Sequence, residues 1–152
     1  MNEVVNERGS FRLSGWLPPV GWMGAIFFFS TDYFSARRTG GLLAGIIRFI
    51  APHLDAQTFD EIHFLIRKLG HFTVYAVLAF LVIRALSAGT AVAWKRQWAL
   101  YALLVVGIYA LLDEFHQSFT AERTASIFDS LIDFCGGSFT VLVAWLVRRK
   151  RV

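Results

Sequence analysis

Apolar residues occur in four long runs along the chain, separated by polar and charged segments. The runs cover about residues 16–34, 72–86, 98–112 and 131–147. A bilayer core takes roughly 20 apolar residues, or fewer where flanking side chains reach the interface. The pattern therefore predicts an all-α fold, a polytopic membrane helical bundle of about four transmembrane helices.

The composition agrees with a membrane location. Hydrophobic residues fill 56% of 152 positions, and the mean hydropathy is +0.53, which is high for a small domain with a large surface to cover. The net charge of +4 lies mainly beside the runs, where membrane lipids explain it better than nucleic acid does. The one cysteine, Cys135, excludes an internal disulfide and is expected to pack within a helix. We predict a single membrane domain over residues 1–152.

Lysine and arginine residues predict the orientation. The amino tail, the second connection and the carboxyl tail are basic and share one side if there are four spans. Their basic residues are Arg8, Arg12, Lys95, Arg96, Arg148, Arg149, Lys150 and Arg151. The opposite side is basic as well, with Arg37, Arg38, Arg48, Arg67, Lys68 and Arg123. The positive-inside rule favours a bacterial cytoplasmic membrane protein with both termini in the cytoplasm. The first run is too long for a cleavable signal peptide and is expected to remain as an anchor.

A shorter apolar pattern lies in the long first connection, over about residues 40–51, and Pro52 ends it. It is too short to span and predicts either an interfacial helix or a re-entrant lid over the polar residues described next. Thr58 and Glu61 have capping-box spacing, so the second spanning helix is expected to begin near Thr58.

Polar residues gather where three runs meet the predicted outer side. Lys68, His71 and Tyr75 lie at the start of the second run, and Asp113, Glu114 and Gln117 lie at the end of the third. Asp129 and Asp133 lie at the start of the fourth run. Ionisable groups in apolar segments are costly, and they persist mainly where they pair, line a cavity or act chemically. Gly136 and Gly137 would let the fourth helix approach a neighbour closely. The sequence therefore predicts an outward-facing polar site.

The spacing of these residues resembles the VanZ-like family of small integral membrane proteins, over about residues 20–145. The matching motifs are Phe29-Ser30-Thr31, Arg67-Lys68-x-x-His71-Phe72-x-x-Tyr75-x-x-Leu78, Asp113-Glu114-Phe115-His116-Gln117, and Arg123 with Asp129 ahead of Gly136-Gly137. The resemblance implies site roles for Lys68, His71, Tyr75, Asp113, Glu114, Gln117, Arg123 and Asp129. It also implies an effect on susceptibility to the glycopeptide teicoplanin. Asp133 departs from the family's usual Asn and Thr31 from a second Ser.

Two classes of function remain open from the sequence. In an envelope enzyme, Lys68 and Arg123 would clamp a headgroup phosphate or a lipid-linked phosphate, and His71 would act as acid or base. The catalytic candidates are Lys68, His71, Asp113, Glu114 and Asp129, and the substrate-binding candidates are Tyr75, Gln117, Arg123, Asp133 and Ser30. In a non-catalytic binder or scaffold, the same network would fix the packing or recognise a lipid, a glycopeptide or a protein partner.

The charges of this cluster do not balance in the sequence. Lys68 and Arg123 supply two positive charges against four acids, which are Asp113, Glu114, Asp129 and Asp133. A divalent cation held by these acids, a cationic ligand, Arg37 or Arg38, or protonated carboxyls would each compensate the excess. The sequence has no HExxH, Walker or Gly-x-Ser-x-Gly motif, and the absence of an internal repeat disfavours transport.

Overall fold

A computed structural model of the protein describes residues 13–123 and 125–149. The described chain is all-α, as predicted, with 3₁₀ turns at Leu13–Trp16 and Asp32–Phe34. Its helices are α1 (Leu17–Phe29), α2 (Ala36–Ile50), α3 (Ala56–Ser87), α4 (Arg96–Gln117) and α5 (Ile127–Arg149). The tail residues that contribute to the orientation prediction, Arg8, Arg12, Lys150 and Arg151, lie outside the described residues.

Three of these helices, α3, α4 and α5, are long and apolar enough to cross a membrane. Helix α1 has only 13 residues, but with the preceding 3₁₀ turn it covers roughly 28 Å. It passes along α3, where Trp22 Nε1 donates to the Val74 carbonyl at 2.9 Å. Near its start, Gly15 lies opposite Ala88 at the end of α3. The predicted count of about four spans is therefore close.

The first predicted span is too long at its carboxyl end. Helix α1 ends at Phe29, and the Ser30 amide closes its last turn on the Ile26 and Phe27 carbonyls at 3.0 and 3.2 Å. Thr31 is then extended, with φ −76° and ψ 167°, and leads into the second 3₁₀ turn. The apolar residues up to position 34 therefore belong to a turn and not to the helix.

Side-chain caps shift the starts of α2 and α3 from their predicted positions. Helix α2 begins at Ala36 because the Ser35 side chain accepts a hydrogen bond from the Arg38 amide. Helix α3 begins at Ala56, because Asp55 accepts hydrogen bonds from the Thr58 amide at 2.9 Å and from its hydroxyl at 2.7 Å. These bonds lower the pKa of Asp55. The capping residue is thus Asp55 and not Thr58, and the helix begins two residues before the position predicted near Thr58.

Helix α5 packs closely against both α3 and α4. A Cβ atom added at Gly136 would lie 2.1 Å from the Phe72 carbonyl oxygen on α3, and one at Gly137 would lie 2.7 Å from Val106 Cγ1 on α4. The two glycines therefore allow the close approach that the sequence predicts. Cys135 lies in α5 as expected, but it is exposed and not packed.

The first and third connections meet at one end of the bundle, which we call the site end. The Asp32 carboxylate accepts hydrogen bonds from the amides of Ala121 and Glu122 at 3.2 and 2.9 Å. Glu122 in turn accepts from the Ser35 hydroxyl at 2.7 Å and pairs with Arg37 and Arg38. These contacts hold the start of α2 against the loop between α4 and α5.

Candidate functional site

Two ionic contacts join α3 to α5 at the site end. Lys68 pairs with Asp129, and His71 Nδ1 lies 3.1 Å from Asp133 Oδ1. The other ring nitrogen of His71, Nε2, lies 3.9 Å from Asp129 Oδ2. Asp133 is completely buried. The imidazole is therefore held between two carboxylates from consecutive turns of α5.

The polar end of α4 also makes contacts between segments. Gln117 Nε2 donates to Asp113 Oδ2 at 2.9 Å and to the Ser30 hydroxyl at 3.4 Å. Glu114 Oε2 accepts a hydrogen bond from the Ser126 amide at 2.5 Å, just before α5 begins. An acid at the carboxyl end of α4 opposes the dipole of that helix, but Glu114 faces the amino end of α5, where a negative charge is favourable. This contact explains its position.

A cavity of about 440 Å³, which we call the α1–α3 cavity, lies between α1, α2 and α3 at the site end. Its apolar walls include Ile26, Phe29, Phe34, Leu42, Leu43, Ile46, Ile66 and Val74. Its polar lining consists of Ser30, Thr39, His63, Arg67, His71, Tyr75, Asp113 and Arg123. Tyr75 is almost fully buried, and its hydroxyl donates to the Tyr109 carbonyl at 3.4 Å. The cavity thus combines a largely apolar interior with a few polar groups, as ligand sites do.

Two arginines converge at this cavity. Arg67 Nη1 and Arg123 Nη2 both donate to the Phe34 carbonyl oxygen, at 3.4 and 3.0 Å, and Arg123 also donates to the Phe29 carbonyl. Both side chains are half-buried, and within residues 13–123 and 125–149 neither forms an ion pair. Burial, and then the positive charge of Arg67, lower the pKa of Arg123. The two guanidinium groups therefore place unpaired positive charge beside the cavity.

The structure distributes the predicted site residues over two places. Those that line the α1–α3 cavity are Ser30, His71, Tyr75, Asp113 and Arg123. Those that do not line the cavity make contacts within α4, with the loop before α5, or between α3 and α5: Lys68, Glu114, Gln117, Asp129 and Asp133. Lys68 was predicted to act beside Arg123, but it pairs with Asp129 and does not line the cavity. Its neighbour Arg67 lies beside Arg123 at the cavity. Sequence reasoning had not selected Arg67 as a site residue, although it precedes His71 by one turn and so shares its face.

The four acids proposed as metal candidates make different contacts. Asp113 contacts Gln117, Glu114 contacts Ser126, and Asp129 and Asp133 face α3. Within the described part of the chain, no group of three or more His, Cys, Asp or Glu residues is positioned to hold a metal ion.

Helix α2 has features of both structures that the sequence left open, a lid over the polar residues and an interfacial helix. Leu42, Leu43 and Ile46 form part of the cavity wall. Phe49 and Ile50, in its last turn, are 90% and 75% exposed. The helix therefore lines the cavity and also exposes apolar side chains, Leu42 and Ile46 among them, as interfacial helices do.

Comparison with protein families agrees with the motifs of α3, α4 and α5. A family model described as VanZ/LLP1 matches residues 16–148, which include every candidate site residue. Comparisons with curated proteins and with solved structures find no match. Three of its helices are long and apolar enough to cross a membrane, and the chain belongs to the VanZ/LLP1 family.

Proposed function

We propose that this membrane protein binds a phosphate-bearing amphiphile in the α1–α3 cavity. The phosphate lies at Arg67 and Arg123, and the apolar part lies against the walls formed by α1, α2 and α3. The observation that carries this proposal is the pair of half-buried guanidinium groups without an ion pair among the described residues. Arginine matches the geometry of phosphate oxygens, and a bound anion would offset the cost of burying these charges.

The apolar walls favour a lipid over a free phosphate ion as the source of this anion. The cavity volume of about 440 Å³ lies within the roughly 300–1,000 Å³ of small-molecule sites. A free phosphate ion would leave most of this volume to water. Lipid-linked precursors of the bacterial envelope belong to the proposed ligand class. Binding such a precursor is one route by which this protein would affect glycopeptide susceptibility.

We also propose that the site end faces outward across the bacterial cytoplasmic membrane. Basic residues and tryptophans lie together at the opposite end: Lys95 and Arg148 are close to the Trp98 ring, and Arg149 lies 4.6 Å from the centre of the Trp145 ring. Tryptophan favours the membrane interface, and basic residues favour its cytoplasmic side. Both features support cytoplasmic termini, with the ligand taken from the outer leaflet.

Native mass spectrometry of the purified protein tests the binding proposal. Phosphatidate is the ligand, and diacylglycerol, which lacks only the phosphate, is the matched control. We expect phosphatidate to bind. Arg67→Gln or Arg123→Gln should lower the affinity for phosphatidate by about 10-fold or more, because a hydrogen bond to a charged group is lost. Arg48→Gln changes an exposed arginine of α2 that does not line the cavity, and it should leave the affinity unchanged.

Inorganic phosphate, added as a competitor, distinguishes the two sources of the anion. Displacement of phosphatidate at equal concentrations would favour the free ion as the ligand. Equal binding of diacylglycerol and phosphatidate, or wild-type affinity in both cavity arginine variants, would contradict the proposal.

A catalytic role is the second candidate, because His71 lines the same cavity and its ring is held by Asp133. A carboxylate that orients an imidazole is a common feature of acid and base catalysis. The corresponding reaction is hydrolysis of the phosphate ester: a water oxygen bonds to phosphorus, the ester P–O bond breaks, and His71 passes a proton to the departing oxygen. Mass spectrometry of phosphatidate incubated with the protein, with and without Mg²⁺, should then show the dephosphorylated lipid. A product that forms equally well with His71→Gln would refute this role.

A further inference from the structure

Gly70 lies at the centre of the face that α3 turns toward the α1–α3 cavity. Arg67, Gly70, His71 and Val74 follow the spacing of one helical face, and all four line the cavity. Arg67 stands at the end with the arginine pair, and Val74 stands roughly 10 Å further along the helix. Gly70 is the one residue of these four that contributes no side chain to the cavity.

Neither packing nor backbone conformation requires a glycine at this position. Gly70 lies inside α3, and in the described chain Gly89 alone has a positive φ. A Cβ atom added at Gly70 would have no described atom within 4 Å, in contrast to Gly136, where it would lie 2.1 Å from a backbone oxygen. Glycine destabilises a helix interior relative to alanine. Glycine at this position therefore lowers the stability of α3 relative to alanine, and no contact with another helix offsets that loss.

We infer that Gly70 is a specificity-determining residue, which keeps open the path of the ligand's apolar chain between the arginine pair and the inner end of the cavity. This inference rests on the proposed function. A chain whose phosphate lies at Arg67 and Arg123 must pass Gly70 to reach Val74 and Ile26. A side chain at position 70 would fill this path and leave the guanidinium groups in place. Position 70 thus controls whether the site takes a lipid or only a headgroup.

The substitutions Gly70→Ala and Gly70→Leu test this role with two probes. Phosphatidate has the phosphate and the chains, and glycerol 3-phosphate has the phosphate alone. The rise in melting temperature of the detergent-solubilised protein reports the binding of each probe. We expect Gly70→Leu to lower the affinity for phosphatidate by about 10-fold or more, because the leucine side chain takes up space in the cavity. The affinity for glycerol 3-phosphate should be unchanged. Gly70→Ala should weaken phosphatidate less while raising the melting temperature of the free protein.

The matched control is Gly24→Leu in α1. Gly24 is also an exposed helical glycine with no described atom within 4 Å of an added Cβ, but it does not line the cavity. The Gly24→Leu variant should bind both probes with wild-type affinity. A similar loss of phosphatidate binding in Gly24→Leu and Gly70→Leu would overturn the inference, since the loss would then not be specific to the cavity.

The remaining outcomes separate this inference from the proposed function. Wild-type phosphatidate binding by Gly70→Leu would overturn the inference and leave the proposed function intact. Equal loss of both probes would also overturn it, because the side chain would then be blocking the arginines. If Gly70→Leu does not fold, Gly70→Ala must still weaken phosphatidate more than glycerol 3-phosphate. A wild-type protein that binds neither probe would refute the proposed function itself.

Discussion

Replacing Gly136 with alanine should separate α5 from α3 and destabilise the bundle. The new Cβ would lie 2.1 Å from the Phe72 carbonyl oxygen and 2.9 Å from its carbonyl carbon, whereas ordinary contacts are 3.4–4 Å. Backbone atoms cannot rotate away as a flexible side chain can, so the helices must move apart by more than 1 Å. Overpacking typically costs about 1–3 kcal/mol, and we expect at least the upper value here.

The cost should be high because the same movement would lengthen polar contacts on both sides of Gly136. His71 Nδ1 and Asp133 Oδ1 are 3.1 Å apart, and the Thr140 hydroxyl donates to the Ala76 carbonyl at 3.0 Å. Buried groups that lose their partners are destabilising, and charged groups more so. The clash and the loosened contacts therefore act together.

Thermal unfolding in detergent, monitored by size-exclusion chromatography, measures the loss of stability across a series of glycine-to-alanine variants. Gly136→Ala should lose the most stability. Gly137→Ala should lose less, about 1–2 kcal/mol, because it meets side-chain atoms of Val106. Gly24→Ala meets no described atom within 4 Å and should be neutral or gain up to about 1 kcal/mol. Wild-type stability of Gly136→Ala would refute the close packing of α3 and α5, and an equal loss in Gly24→Ala would show that the effect is not specific to contact.

Two further predictions concern the cap that Glu114 forms at the amino end of α5, by accepting from the Ser126 amide, and the orientation. Glu114→Gln should keep the fold, because an amide oxygen can still accept from the Ser126 amide, whereas Glu114→Leu should lose about 1–3 kcal/mol of unfolding free energy. Equal thermal stability of the two variants would argue against the cap. With Cys135→Ser as background, a membrane-impermeant maleimide should label Ala121→Cys in intact cells and Ala91→Cys only after lysis. The reverse pattern would invert the proposed orientation.

The long helices were predictable from the sequence because apolar runs of this length indicate membrane spans. Their ends were not, because polar residues extend each helix beyond its apolar run. Helix α5 begins at Ile127, four residues before its apolar run, and its polar residues Asp129 and Asp133 lie inside the bundle against α3. Helices α2 and α3 begin at the caps formed by Ser35 and Asp55, and many serines and aspartates in a sequence could serve as such caps.

The polar cluster was predictable as a set, but its division into ion pairs and a cavity was not. Helical spacing placed Lys68, His71 and Tyr75 on one stripe, and the structure directs Lys68 to α5 while His71 and Tyr75 reach the cavity. Arg67 and Lys68 are neighbours about 100° apart on α3, so the spacing cannot say which of them faces α5. In the structure Lys68 pairs with Asp129 on α5, and Arg67 donates to the Phe34 carbonyl in the turn between α1 and α2.

The arrangement of charges bears on what the site binds. The sequence left four acids against two bases, but Arg67 adds a third positive charge beside Arg123. The acids lie mainly in the contacts between helices, while the two arginines lie at the cavity without ion pairs among the described residues. The cavity lining has two arginines and one acid, Asp113, so the cavity is locally positive, which favours an anion as its ligand.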